Sequence, residues 1–537
     1  MQDAFAALTA PGAEYEIVED TDGTRLFRTA PASLGAIYAE SAARFGPREF
    51  LVFEDQRYTF AQFYAAAEAM RRRIAPRRGE RIAIAMRNRP EWLIAFVAIT
   101  AGGASAVLVN SRGTPADLAA AVEDAGCRLV VADARRAQAL ATCPVDLIDV
   151  DDGVATGGSE PLQIADIDPM DEAAVIFTTG TSGRAKGAMH SHRGVVAALM
   201  NIAFSRASAM HDATRHLPRE VLAGLAAMQP SVLTPYPLFH VAGLNSDFLT
   251  FLRTGGKMVL MGRWDAAEAL ALIERERVMA TSGSPAMLWD LLRAHDGSRD
   301  LSSLQGLGVG GQALPPRLFD DVRAMFPNAG FGCGFGQTEV GGPVSSASLR
   351  LLVEKPGCSG RPVPAIDLRI ADQAGAPLPA RKAGEILVRG ACAATGYCNL
   401  PEETAETFRD GWVHTGDIGY LDQDGVLFVI DRRRSILISG GENISLTEIE
   451  HAAQADPNVI DAAAIAVADE RMGEVPVLAV TPRDGVLDEA SLAARLAERL
   501  AAYKLPRRIV AVAAIPRNHM DKIDRAALRA MVPPGIN

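Results

Sequence analysis

Cysteine is scarce in this 537-residue chain, and the six that occur (Cys127, Cys143, Cys333, Cys358, Cys392 and Cys398) form no C-x-x-C pair. Neither a disulfide framework nor a zinc ribbon is indicated, and a reducing cytoplasm is the expected compartment. Basic residues are in the minority. Lys plus Arg number 54 against 65 Asp plus Glu, a net charge of −11. That balance argues against a surface that displaces counterions from a nucleic-acid polymer, and for small-molecule partners. The opening MQDAFAALTAPGAEYEIVED has no basic segment followed by an apolar stretch, so no secretory signal is expected. Long apolar runs are nearly missing. Trp92 to Val109 is uncharged, but Gly102-Gly103 interrupts it and Pro90 is placed to start a helix. A buried helix followed by a buried strand is therefore expected there, not a transmembrane segment. No internal repeat or low-complexity tract is present, and 48% hydrophobic with 22% charged residues excludes disorder, coiled coil and collagen.

What the chain does have is length, about three to four typical domains' worth, and an alternation of amphipathic helical stretches with short apolar strands. RIAIAM (81–86), CRLVVA (127–132) and KMVLM (257–261) are such strands. The pattern implies an α/β fold of parallel or mixed sheets covered by helices. From Gly384 the texture changes. GEILVRG and HTGDIGYLDQDGVLFVIDR alternate with period two around Asp424-Gly425, which reads as an antiparallel hairpin. The run Arg432 to Arg434 is either a domain boundary or a solvated charge cluster. Ser205 to Ser231, with two histidines and two prolines, reads as a mobile insertion carrying a short helix of its own. His190-x-His192 lacks further ligands at zinc spacing, so a structural role is expected.

The strongest local signal is AAVIFTTGTSGRAKGAM. An apolar strand (173–177) runs into the loop Thr178-Thr179-Gly180-Thr181-Ser182-Gly183-Arg184-Ala185-Lys186-Gly187. Glycines let backbone N–H groups converge, hydroxyls add donors and Lys186 adds charge, which together suit a polyphosphate; a flexible hydroxyl-rich turn is the bland alternative. Lys186 is followed by Gly187 and not by Ser or Thr, so this is not a Walker A loop. Further segments follow in order: Pro237-Leu238-Phe239-His240, Gly310-Gly311-Gln312-Ala313-Leu314, Gly334-Phe335-Gly336-Gln337-Thr338-Glu339, Gly411-Trp412-Val413-His414-Thr415-Gly416-Asp417, Asp431-Arg432, Gly440-Gly441-Glu442-Asn443-Ile444, and Pro516-Arg517-Asn518 with Lys522. Taken together, and over nearly its whole length, the chain resembles the adenylate-forming superfamily of acyl-CoA synthetases, luciferases and peptide-synthetase adenylation domains.

The resemblance implies a large N-terminal domain (1–434) of packed sheets and helices with a small β-barrel-like part, and a small mobile α+β C-terminal domain (435–537) hinged near Ser435. It also implies roles. Thr178 to Gly183 and Lys186 hold the ATP phosphates, with Gly311, Gln312, Phe335 and Gly336 completing the nucleotide site. Thr338 reaches a phosphate and Glu339 holds Mg²⁺, a hard cation that prefers oxygen ligands. Asp417 accepts from both ribose hydroxyls, a task that suits a carboxylate, although a turn aspartate capping its own backbone is the plain alternative. Arg432 is directed at the nucleotide. Lys522 offsets the repulsion between the substrate carboxylate and the α-phosphate; without the resemblance it would read as a surface lysine. His240 gates the acyl pocket, Gly334 helps line it, and Gly440 and Gly441 leave room for a pantetheine arm. Four positions depart from the family pattern: Phe335 for Tyr, Asp521 for Gly, Ser435 for Asp or Lys, and Ala185 for Pro.

The expected activity is an ATP-dependent acyl-CoA ligase, with Mg²⁺ as metal and CoA as cosubstrate. Gly336 stands where acetate-using relatives carry tryptophan, so an acid larger than acetate and apolar (fatty, alicyclic or aryl) is expected. The chain stops soon after Lys522 without a carrier domain, which favours free CoA as acceptor. A fatty acyl-AMP ligase or a stand-alone enzyme loading a carrier protein is the alternative, followed by a non-catalytic nucleotide-binding homologue. A homodimer is left open as the assembly.

Overall fold

The computed structural model describes residues 4–21, 23–152, 160–178, 185–214, 218, 220, 222, 224, 227–310, 314–432, 436–439, 442–469, 472–518 and 522–532. Among these, two large sheets form the body of the chain. The first has six strands, ordered Lys186–Ser191, Glu172–Thr178, Ser105–Leu108, Arg81–Ala85, Leu129–Ala132 and Asp146–Asp149. All neighbours are parallel except the edge strand Lys186–Ser191, which runs antiparallel to Glu172–Thr178. SAVL and LVVA are buried at every position, as expected of strands covered on both faces. The helix Pro90–Ala101 is buried along its entire length and leads through Gly103 (φ 80) into Ser105–Leu108. The uncharged run is thus a core helix and a core strand, and no described helix is long and apolar enough to cross a membrane.

The second sheet has nine described strands, with Ser231–Thr234 near its centre between Lys257–Leu260 and Ala280–Gly283. The hairpin expected around Asp424-Gly425 is present. Trp412–Leu421 pairs antiparallel with Leu427–Arg432, and Gly425 takes the left-handed turn position (φ 74). Together with Asp367–Ala371, Gly384–Arg389 and Phe408–Arg409 these strands make the small antiparallel, barrel-like part. The C-terminal sheet begins at Ile436–Ser439 and is built on the long pair Val459–Asp469 and Gly473–Pro482, with Leu446–Gln454 packed against it. Arg433 to Ser435, where the hinge is expected, lies outside the described residues.

The segment expected from Ser205 begins later: residues 205 to 214 are the last turns of one helix, His192–Thr214. Beyond it Glu220, Leu222, Gly224 and Ala227 are helical and the Leu222 N–H donates to the Pro218 carbonyl at 3.1 Å, in keeping with the short helix expected there. Residues 215–217, 219, 221, 223, 225 and 226 lie outside the described residues. The helix His192–Thr214 is buried at His192 and from Gly194 to Phe204, with Arg193 half-buried, and its final turns are polar and partly open. His190 and His192 are buried, and burial lowers each imidazole to about 4, so both sit as neutral core side chains.

Candidate active site

Two strand ends define the floor of the site. In the first sheet, Thr178 and Lys186 are direct antiparallel partners, so the two ends of the glycine- and hydroxyl-rich segment are held in register. Residues 179–184 of that loop are outside the described set. At its far end the Lys186 ammonium lies over the ring of Tyr397, 5.2 Å from the centroid. The Tyr397 hydroxyl donates to Glu339 Oε1 at 2.8 Å. Burial and the neighbouring carboxylate push this phenol up, so it stays protonated and a donor. The lysine at the end of this loop and the carboxylate expected to hold the metal are thereby joined through one aromatic residue.

Glu339 is presented by a tight turn. Gly336-Gln337 pairs antiparallel with Gly342-Pro343, and the single 3₁₀ turn Thr338–Val340 between them closes on Gly341 in the left-handed region (φ 65), whose N–H donates to the Thr338 carbonyl at 2.9 Å. A side chain at Gly336 has no room. A Cβ there would lie 2.9 Å from the Gly342 carbonyl carbon and 3.0 Å from Pro343 Cα, with the Gly342 oxygen closer still. Gly334 is constrained likewise by the Ser345 backbone. Phe335 is half-buried against the apolar cluster of the barrel-like part, and its carbonyl accepts from Val344 and Ser345 N–H.

The turn is fastened on two further sides. The Gln337 amide donates to the Thr415 carbonyl at 3.0 Å and to Asp417 Oδ2 in a short contact. Asp417 is buried, and its own N–H donates to Thr415 Oγ1 at 3.1 Å. Its strand register sets it opposite Arg432. On the other side, the buried Asn245 donates to the Gly341 carbonyl at 2.7 Å. Asn245 belongs to Ala242–Leu249, an eight-residue π-helical stretch that follows His240; such widened turns recur at functional sites. Asn88 fixes the segment before it, donating to Tyr236 and Met261 carbonyls and accepting from Leu238 N–H at 3.0 Å. The His240 and Phe239 rings pack with centroids 4.6 Å apart.

Lys522 reaches the same place from the C-terminal part. Its N–H donates to Asn518 Oδ1 at 3.1 Å and its carbonyl accepts from Asn518 N–H at 2.8 Å, closing a small loop. Thr178, Lys186, His240, Gly334 through Glu339, Asp417 and Lys522 all line one cavity of about 2800 Å³. Gly311, Gln312, Gly440, Gly441, Ser435, Asp521 and the Arg432 side chain are not among the described groups. Tyr397, Asn245 and the role of Gln337 were not foreseen from sequence. Tyr397 follows Gly396 in ATGYCN, where nothing marks it chemically.

Comparison with known proteins places this geometry. The model of the family described as "AMP-binding enzyme" matches residues 38–398, and that of the "AMP-binding enzyme C-terminal domain" matches residues 448–522. The chain is 31% identical over 525 residues to 4-coumarate–CoA ligase 2 of Nicotiana tabacum, covering 93% of this chain and 94% of the relative. It is 32% identical over 457 residues to a feruloyl-CoA synthase of Amycolatopsis sp, covering 84% and 89%. Among solved structures, o-succinylbenzoate CoA synthetase of Bacillus subtilis in complex with its acyl-adenylate intermediate superposes with a TM-score of 0.79 at 28% identity, over 92% of this chain and 97% of that one. The same enzyme has also been solved with ATP and magnesium ion, again at a TM-score of 0.79 and 28% identity, over 92% and 99% of the two chains.

Proposed function

The chain belongs to the AMP-binding enzyme family, as an AMP-forming acyl-CoA ligase, and we propose that it activates a carboxylic acid larger than acetate, aryl or fatty, in the cavity closed by Lys522. The observation that carries this reading is the meeting of Thr178, Glu339, Asp417 and Lys522, drawn from four distant stretches of chain, on the wall of one cavity. In the first step a carboxylate oxygen attacks the α-phosphorus of ATP, the bond to the bridging oxygen breaks, and pyrophosphate leaves. In the second the CoA sulfur attacks the acyl carbon and AMP departs. A carboxylate is a poor electrophile; the mixed anhydride supplies a good leaving group.

In this scheme Asp417, kept in place by Gln337, accepts from the ribose diol. Lys186 and the loop after Thr178 hold the departing phosphates. Glu339 and Thr338 offer oxygen donors at the cavity wall, which suits Mg²⁺; the bound ion would neutralise phosphate charge. Lys522 offsets the charge that builds between carboxylate and α-phosphate. The small domain from Ser435 onward turns between the two steps, withdrawing Lys522 and bringing Gly440 and Gly441 to the thiol arm. His240 gates the acyl side. A reducing cytoplasm suits a chain whose six cysteines are all free thiols.

The test is pyrophosphate exchange with ATP, Mg²⁺ and a panel of acids. Lys522→Ala should lower exchange by about 10²-fold or more and leave thioester formation from preformed acyl-adenylate nearly intact. An equal loss of both half-reactions would sink the two-position scheme.

A further inference from the structure

The acyl side of the cavity holds a buried acid that no motif announces. Asp247 lies in the π-helical stretch Ala242–Leu249, lines the cavity, and is 0% exposed. Neither of its carboxylate oxygens has a hydrogen bond of normal geometry. Beside it is the Thr234 hydroxyl, also fully buried, which favours the ionised carboxyl but stands outside normal hydrogen-bond geometry. The nearest charge is Arg206, from the polar end of the helix His192–Thr214. Its guanidinium lies 3.8 Å from Asp247 Oδ1, donates to the Ser246 carbonyl at 2.6 Å, and stacks on Phe251 at 4.8 Å from the ring centroid. These three contacts fix the arginine where it balances the acid without satisfying it.

A buried carboxyl left in this state has given up its hydration without a full set of hydrogen bonds in return. The missing donor is therefore expected from whatever occupies the cavity. We propose that Asp247, braced by Arg206, is a specificity-determining residue that accepts a hydrogen bond from a hydroxyl group carried by the acid substrate at a point away from its reacting carboxylate. The inference rests on the ligase reading above and narrows its substrate class.

Position and charge select the donor. Asn245 turns toward Gly341 beside Glu339, and two residues on along a helix of either pitch the side chain points about 160–200° away. Asp247 thus serves a part of the substrate remote from the phosphates. An ammonium group there would meet the Arg206 guanidinium as well as the acid, and a second carboxylate would meet Asp247. An apolar end would leave the acid unbonded. A neutral hydroxyl avoids all three penalties. Burial pushes the Asp247 carboxyl up to about 7, and both its ionised and its protonated form present an oxygen that accepts from a hydroxyl.

The test compares matched acids that differ only in that group: para-hydroxyphenylpropanoate against phenylpropanoate, and ω-hydroxyoctanoate against octanoate. Pyrophosphate exchange gives kcat/KM for each with the full-length enzyme, Asp247→Asn and Asp247→Leu. The wild type should favour the hydroxylated member of at least one pair by about tenfold or more. Asn, which keeps a carbonyl acceptor, should retain a preference of the same sign, and Leu should abolish or invert it. Equal use of both members by the wild type, or a preference unchanged in the Leu variant, would overturn the proposal while leaving the ligase intact. So would activation of other acids with neither pair turned over. Failure of exchange with every acid would overturn the ligase reading, and this inference with it. If the Leu variant does not fold, the wild-type ratio and the Asn variant decide.

Discussion

Gly336→Ala separates two explanations for one glycine. If Gly336 is present to keep the acyl cavity open, a methyl group should trim the largest substrates and spare everything else. The structure argues for a backbone reason. The added Cβ would sit 2.9 Å from the Gly342 carbonyl carbon and 3.0 Å from Pro343 Cα, atoms of the facing strand that cannot rotate away. Relief requires the two short strands to part by several tenths of an ångström, and overpacking of this kind costs about 1–3 kcal/mol. The displaced residues are Gln337, which holds Asp417, and the Thr338–Val340 turn that presents Glu339. Misplacement of positioning groups by about 1 Å costs on the order of 10²-fold in rate. The expected result is a drop of about 10- to 100-fold in pyrophosphate exchange that is similar for every acid, a raised KM for ATP, and a melting temperature lower by a few degrees. Normal ATP kinetics and melting with loss of only the bulkiest acids would refute the reasoning and restore the open-cavity explanation.

Tyr397→Phe removes the 2.8 Å bond to Glu339 but keeps the ring under Lys186, so the Mg²⁺ requirement should rise by about three- to tenfold, whereas Tyr397→Leu should also weaken ATP binding; metal titrations of exchange would show both. Asp417→Asn should raise KM for ATP by about tenfold or more, since charge-assisted bonds to a diol are each worth about 1.5–3 kcal/mol, with KM for the acid unchanged in steady-state kinetics. His190 and His192 titrate near 4 in the fold, below their unfolded value, because burial holds them neutral. Their contribution is fully present above about pH 6.5 and is lost as pH falls towards 4, by about 3 kcal/mol apiece at most; calorimetry that shows no fall in melting temperature over that window would contradict it. Burial pushes the Cys127, Cys333 and Cys392 thiols up to about 12, so iodoacetamide at pH 8, under conditions that alkylate a free thiol, should leave them unmodified by mass spectrometry.

The layout of the body was legible because its elements follow local rules. Uncharged runs such as LVVA became strands buried on both faces, and the period-two pattern around Asp424-Gly425 became a hairpin with Gly425 at positive φ. The glycine- and hydroxyl-rich segment was legible as following a strand, but not with Thr178 opposite Lys186, since register is settled by pairing and not by composition. Tyr397 was missed for a related reason. It meets Glu339 across 58 positions of sequence, and a contact of that span leaves no local trace.

The misreading of residues 205 to 214 and the silence about Asp247 have a common origin. A helix is recognised by an apolar face that repeats every three or four residues, because that face is covered by core. From Ser205 onward the helix His192–Thr214 covers a cavity instead, so its inward positions include Ser205, Arg206 and Met210, and the continuous apolar run that identifies it up to Phe204 stops. Asp247, one acid in VAGLNSDFL, goes unmarked because nothing nearby in sequence shows that Arg206 will lie beside it. Both failures of the binary pattern fall on facing elements that meet at the same wall. A fold that only needed to be stable would place apolar side chains at both positions, so the polar pair marks where stability was set against recognition.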